Sequence, residues 1–325
     1  MDAKYWQNQS SNSSVYIKGF EWRVSLTFNL LFLATCLWYV TAILIFLRKK
    51  NVEIVRVRCN HFDQYSLLRM MLMSGVFCFL SILSTTFIIH TPDLGLLQCD
   101  VACEIGKDIA VLFHFASQFL IYFYLWLRMK SSYESLGKRT TRFTTLIWVC
   151  LMVLVIGCTT NAICWTMPEE HRCEMRGCVV ITGKTDSPRL IATFLIAFIH
   201  QVFILTLLVK VLKNQSSQVT SAKPTSGNRN SISLLSNPEE NSMNQITLFS
   251  NARLAMALRK LLTYAVICIT SDIIMMVLAI ILAESNTDVP SRGITNIPIE
   301  CTLLVNLITM LCTFTESRSI LFPFL

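Results

Sequence analysis

Charge is what this chain has least of. Of its 325 residues, 15% are Asp, Glu, Lys or Arg and 53% are hydrophobic, against about 25% charged and 45–50% apolar in soluble domains. Proline is also scarce. There are eight (92, 168, 188, 224, 238, 290, 298 and 323), and none falls at the centre of an apolar run, which disfavours the broken midplane helices of many transporters. HExxH, GxSxG, a phosphate loop and CxxC are all missing, so catalysis has no residue-level support and no cofactor or metal site is expected. The first 22 residues lack the charged-then-apolar start and the cleavage site of a signal peptide.

What is present is seven long apolar runs: Val24–Leu47, Ser66–Ile89, Ile105–Met129, Thr144–Trp165, Leu190–Leu212, Leu261–Leu282 and Ile294–Thr315. Each has about the 20 residues that a membrane-crossing helix needs. The expected fold is an all-α integral membrane protein, a seven-transmembrane helix bundle embedded in a lipid bilayer.

The charges sort by side. The loops after runs one, three and five carry six, five and seven Lys/Arg against two, one and two acids, while the opposite loops are acidic or balanced. The positive-inside rule puts the amino terminus outside and the carboxyl terminus in the cytosol. Nucleic acid, the other common partner of a basic chain (net +8), is rejected because the basic residues fill cytosolic loops.

The organisation that follows is an extracellular tail over 1–23, helices one to five with their loops over 24–212, and a Ser/Thr-rich cytosolic loop over 213–252. Helices six and seven occupy 253–315, and a short tail 316–325. The third inner loop has too little apolar surface for a core and reads as disordered. Asn8 and Asn12 head glycosylation sequons on the lumenal side. In the last segment Arg318, Ile320, Leu321, Phe322 and Phe324 fit a short interfacial helix.

The third run organises the rest. Cys103 stands at its outer end and Arg128 at its inner end, ~37 Å apart along a helix rising ~1.5 Å per residue. Cys99, Cys103, Cys173 and Cys178 all fall outside, where disulfides persist, and four cysteines allow three pairings. Cysteines inside the runs read as small apolar packers. Polar residues at mid-membrane depth are expensive and suggest function by default. Asp272 in run six is the clearest. His114 and Gln118 in run three, His200 and Gln201 in run five and Asn306 in run seven lie at similar depth. Such a layer is either a ligand or switch site, or a set of contacts that only holds helices together. Acids around the outer mouth (Asp100, Glu104, Asp108, Glu284, Asp288, Glu300) would attract a cationic small molecule or peptide, although a merely solvated rim explains them more simply.

Seven runs, an outside amino terminus, a cysteine opening run three, an arginine closing it and a basic, Ser/Thr-rich third inner loop resemble a G-protein-coupled receptor of the rhodopsin-like class. The resemblance covers the whole chain in architecture and only a few residues in motif. It implies a plasma-membrane receptor with an extracellular ligand and a heterotrimeric G protein as partners. Cys103 would bridge to the second outer loop, at Cys173 or Cys178. Arg128 would face the G protein, beside Lys130, Arg253, Arg259 and Lys260. Around Arg128 the chain reads Leu127-Arg128-Met129 in place of the DRY motif, and Asn306-Leu-Ile-Thr-Met310 stands where NPxxY would be. Run six has Ser271-Asp272 instead of CWxP, so the family's tryptophan toggle does not carry over. The competing expectation is a transporter or proton-coupled carrier using Asp272 and the mid-membrane histidines.

Overall fold

An apolar run in a bilayer has no water for its peptide groups, so each run must satisfy its own backbone as a helix. The computed structural model describes residues 3–50, 64–90, 99–134, 141–166, 171–174, 177–180, 186–221, 238–285, 292–314 and 316–322; at several helix ends and throughout two short strands only the backbone is described. The elements are α1 (Ala3–Lys49), α2 (Gln64–His90), α3 (Cys99–Glu134), α4 (Thr141–Thr166), β1 (His171–Glu174), β2 (Gly177–Val180), α5 (Asp186–Ser221), α6 (Pro238–Ser285), α7 (Arg292–Leu311) and α8 (Ser317–Leu321).

Among the described residues, six helices carry apolar stretches long enough to cross a membrane: Arg23–Lys49, Tyr65–Phe87, Ile105–Ser131, Thr144–Thr166, Ile191–Lys210 and Arg259–Leu282. They indicate a multi-pass membrane protein. The seventh expected run is shorter. Helix α7 is apolar over Asn296–Leu311 and ends before the expected Thr315. Its last turn tightens, with Thr313 and Phe314 donating backbone bonds to Met310 and Leu311, three residues back (3.0 and 3.1 Å). The Thr313 hydroxyl also bonds the Met310 carbonyl at 2.7 Å, which competes with helix continuation.

Each helix packs on the next in sequence and α7 closes the ring on α1, while α3 also meets α5 and α7 across the centre. The seam between α2 and α3 combines the stacked rings of Phe77 and Phe113 with small residues that bond across it. Ser74 and Ser117 exchange hydroxyl bonds to each other's carbonyls at 2.9 and 2.8 Å, and Ser81 Oγ donates to the Ala110 carbonyl at 3.0 Å. Small residues let helix backbones approach where lipid offers no hydrophobic drive for association. About 100° round α2 from Ser74, Gly75 lies against the ring of Tyr39 in α1.

Helix extends into the expected extracellular tail and into both ends of the third inner loop. Helix α1 starts at Ala3, within the supposed tail, because neither proline nor any glycine before Gly19 interrupts the run into the first span. In the third inner loop, α5 continues to Ser221 and α6 begins at Pro238; residues 222–237 lie outside the described residues. Pro238 followed by Glu239 and Glu240 is a strong helix start, since proline loses no bond at N1 and acids complement the N-terminal dipole. At the chain's end α8 is the expected short helix. It packs on α1 with Ile320 buried, and the Phe322 ring lies 6.1 Å from that of Trp38.

Candidate functional site

The mid-membrane polar layer forms, and it centres on Asp272. Asn306 Nδ2 of α7 donates to Asp272 Oδ1 at 2.8 Å. The other carboxylate oxygen accepts from the Tyr122 hydroxyl of α3 at 3.1 Å and from Gln201 Nε2 of α5. Gln201 Nε2 also donates to the Tyr122 hydroxyl. One carboxylate thus ties four helices together. The Asn306 amide direction follows from its neighbour, because the other orientation would set its oxygen against a carboxylate oxygen.

Of the six polar residues expected in the layer, Gln201, Asp272 and Asn306 meet directly. His200 joins through Tyr122, whose ring it meets edge-on at 5.0 Å between centroids. Gln118 lines a cleft with Tyr122 and His200. His114 stands apart, its ring edge-on to Phe115 at 5.5 Å, and it is not among the hydrogen-bond partners of Asp272. Tyr122 was missed in the sequence. The available signal was spacing: residues 114, 118 and 122 recur every four positions and share one helix face.

Glu300 sits differently from expectation. Counted with the acidic rim in the sequence, it is 4% exposed, and its Oε2 has no hydrogen-bond partner among the described residues. It lies near Thr85 of α2, two residues beyond Pro298, which stands inside α7. The side chains of Asp100, Glu104, Glu284 and Asp288 lie outside the described residues.

At the far end of α3, Arg128 is held by its own helix and by the segment following α7. Arg128 Nε donates to the Tyr124 hydroxyl at 3.1 Å, and Tyr124 in turn bonds Thr313. The guanidinium lies over the Phe314 ring, 5.1 Å from its centroid. Beside it Lys130 sits over Trp126 and Trp148, at 5.4 and 5.3 Å. Trp126 Nε1 anchors α3 to α4 through the Ile147 carbonyl at 2.8 Å. Arg259 and Lys260 are exposed, with Lys260 over Tyr264.

The remaining expected site residues are less fully described. The side chains of Arg253, Asn8, Asn12, Cys99, Cys103, Cys173 and Cys178 lie outside the described residues. The backbone pairs Cys173 opposite Cys178 in the antiparallel β1–β2 hairpin. That hairpin packs on α2 and α3, as a loop folded over the bundle mouth would. Cys36 and Cys78, read as packers, are fully buried with sulfurs 3.4 Å apart.

The fold and this node define a class: a multi-pass helical membrane protein with a carboxylate-centred polar layer. Comparison takes the identification no further, since no protein-family model matches the chain and no curated protein is similar enough to count as a match.

Proposed function

We propose that the chain is a cell-surface seven-transmembrane receptor that binds an extracellular ligand and signals to a heterotrimeric G protein. It lies in the plasma membrane with its amino terminus outside, glycosylated at Asn8 and Asn12, and its carboxyl terminus in the cytosol. Helix α7 serves as the seventh span, and Cys103 pairs with the hairpin loop. One observation carries the reading. Helix α3 bears both Tyr122 of the Asp272 node and Arg128, six residues on, which the segment after α7 holds through Tyr124, Thr313 and Phe314. Six residues are ~9 Å of helix. A ligand that favours one arrangement of the node therefore biases the Arg128 end, as long as it binds that arrangement better than the other.

The test is basal nucleotide exchange on a panel of G proteins at matched surface expression. Wild type should exceed background, and Arg128→Ala should lose that excess. Tyr124→Phe removes one bond holding Arg128, worth ~1 kcal/mol, and should raise basal exchange by up to about fivefold. Exchange indifferent to both substitutions in correctly oriented protein would overturn the coupling role.

A second reading, a proton-coupled carrier, is favoured by Glu300. Two carboxylates within the bundle, one of them in a proline-containing helix, suit a relay. On the receptor reading, purified protein in liposomes should not dissipate a pH gradient. Dissipation abolished by both Asp272→Asn and Glu300→Gln would replace the receptor with the carrier.

A further inference from the structure

Next to the node, α3, α4 and α5 enclose a cleft that no step above uses. Gln118 and Tyr122 of α3, Asn161 of α4 and His200 of α5 supply its polar lining, and Gly157 and Ile196 approach each other beside it. Asn161 and His200 are each 4% exposed. Neither ring nitrogen of His200 has a hydrogen-bond partner among the described residues. A buried polar group left unmade is costly, so this side chain is prepared for a partner.

Depth and shape restrict what that partner is. His200 is the tenth residue of the apolar stretch Ile191–Lys210, placing it ~15 Å from either end of the span, halfway through a core of ~30 Å. Helix α3, which also meets α5 and α7, lines one side of the cleft, and α4 and α5 line the others with outer flanks that face the bilayer. Ile156 and Ile199, beside its wall residues, are 59% and 61% exposed. Gly157 keeps the two walls close, because a Cβ there would meet Ile196 Cγ2 at 3.0 Å. The free space, about 20 Å³, takes one water-sized group. The lining holds no Lys or Arg to compensate the charge of a carboxylate or phosphate head. A hydroxyl fits. It both donates and accepts, so it can bond whichever His200 nitrogen faces the cleft and use its remaining capacity on Gln118 or Asn161.

We infer that this cleft binds an uncharged, membrane-dissolved molecule by a single hydroxyl group, admitted from the lipid between α4 and α5 and held by His200 with Gln118 and Asn161. The hydroxyl takes the place at His200 while its hydrocarbon chain replaces a lipid chain along α4 and α5.

The probe is a diazirine-bearing hexadecanol, used on the full chain in phosphatidylcholine nanodiscs with cross-linked peptides mapped by mass spectrometry. Saturable labelling of α4 and α5 is expected, competed by 1-hexadecanol and not by hexadecane. His200→Phe should weaken the competition about tenfold, roughly the loss of a well-made hydrogen bond. His200→Gln, which keeps a donor and an acceptor, should retain most of it. Gly157→Val should fill the cleft and abolish it, with folding of each variant checked by heat denaturation. Absence of saturable labelling in wild type, equal competition by hexadecane, or labelling unchanged in both His200→Phe and Gly157→Val would each overturn the assignment. Labelling is read without a G protein, so its failure and that of the receptor reading are told apart.

Discussion

Gly75→Val is expected to destabilise the bundle by about 1–3 kcal/mol, the usual cost of forcing extra carbon into a packed core. A Cβ at position 75 would lie 2.8 Å from two ring carbons of Tyr39 and 3.2 Å from Val40 Cγ2. Tyr39 is 1% exposed, so its ring cannot swing into free space and α1 must move away from α2. Helix propensity works the other way. Alanine gains up to ~1 kcal/mol over glycine and valine only a few tenths, so Gly75→Ala should be milder and Gly75→Val should show the full clash. Gly157 provides the control. Its added Cβ would meet a single atom, Ile196 Cγ2 at 3.0 Å, so Gly157→Ala should cost less than Gly75→Ala. The measurement is the heat-unfolding midpoint in one detergent. If Gly75→Val melts with wild type, the close approach of α1 and α2 is wrong.

How much of this was legible in the sequence depends on what each residue depends on. Span positions follow from local apolarity, and six of the seven runs are long apolar helices within a residue or two of their expected bounds. Asp272 was legible for the same reason, since a carboxylate between ICITS and IIMMV is costly wherever its helix packs. Its partners were only half legible. Gln201 and Asn306 stood out as polar residues in apolar runs, whereas Tyr122 was hidden among the aromatics of FLIYFYLW, where its hydroxyl looks like one more ring. Glu300 shows the opposite error. It falls within run seven, Ile294–Thr315, yet reads as one more acid of the outer rim, because the sequence does not reveal that its carboxylate is turned into the bundle. The third inner loop reads as disordered on average composition, although helix enters it from both ends. Its Ser- and Asn-rich middle concealed a proline-and-glutamate helix start at Pro238. Arg128 was legible as a cation at a helix end, but its hold on Phe314 required tertiary packing.

Asp272→Ala is expected to have the largest effect of any single polar substitution in the bundle. It removes the acceptor for three donors on three other helices, Tyr122, Gln201 and Asn306. Interhelical hydrogen bonds in membranes average ~0.6 kcal/mol and reach ~1.7, so three of them give roughly 2–5 kcal/mol. Asp272→Asn keeps one oxygen for Tyr122 and Gln201 but sets an amide N–H₂ against Asn306, and should cost about a single bond. Tyr122→Phe should cost a similar amount, because Gln201 still reaches the carboxylate directly. The expected order of melting is therefore wild type, then Tyr122→Phe and Asp272→Asn together, then Asp272→Ala lowest. A double-mutant cycle between positions 122 and 272 should return a coupling near one bond. No coupling in the cycle, or an Asp272→Ala variant as stable as wild type, would mean that the carboxylate does not hold the four helices. A node worth only a few kcal/mol is also what a switch requires. On the proposed receptor reading, such a node holds one arrangement of α3, α5, α6 and α7 firmly enough to be populated, and weakly enough that a ligand of ordinary affinity would shift the balance.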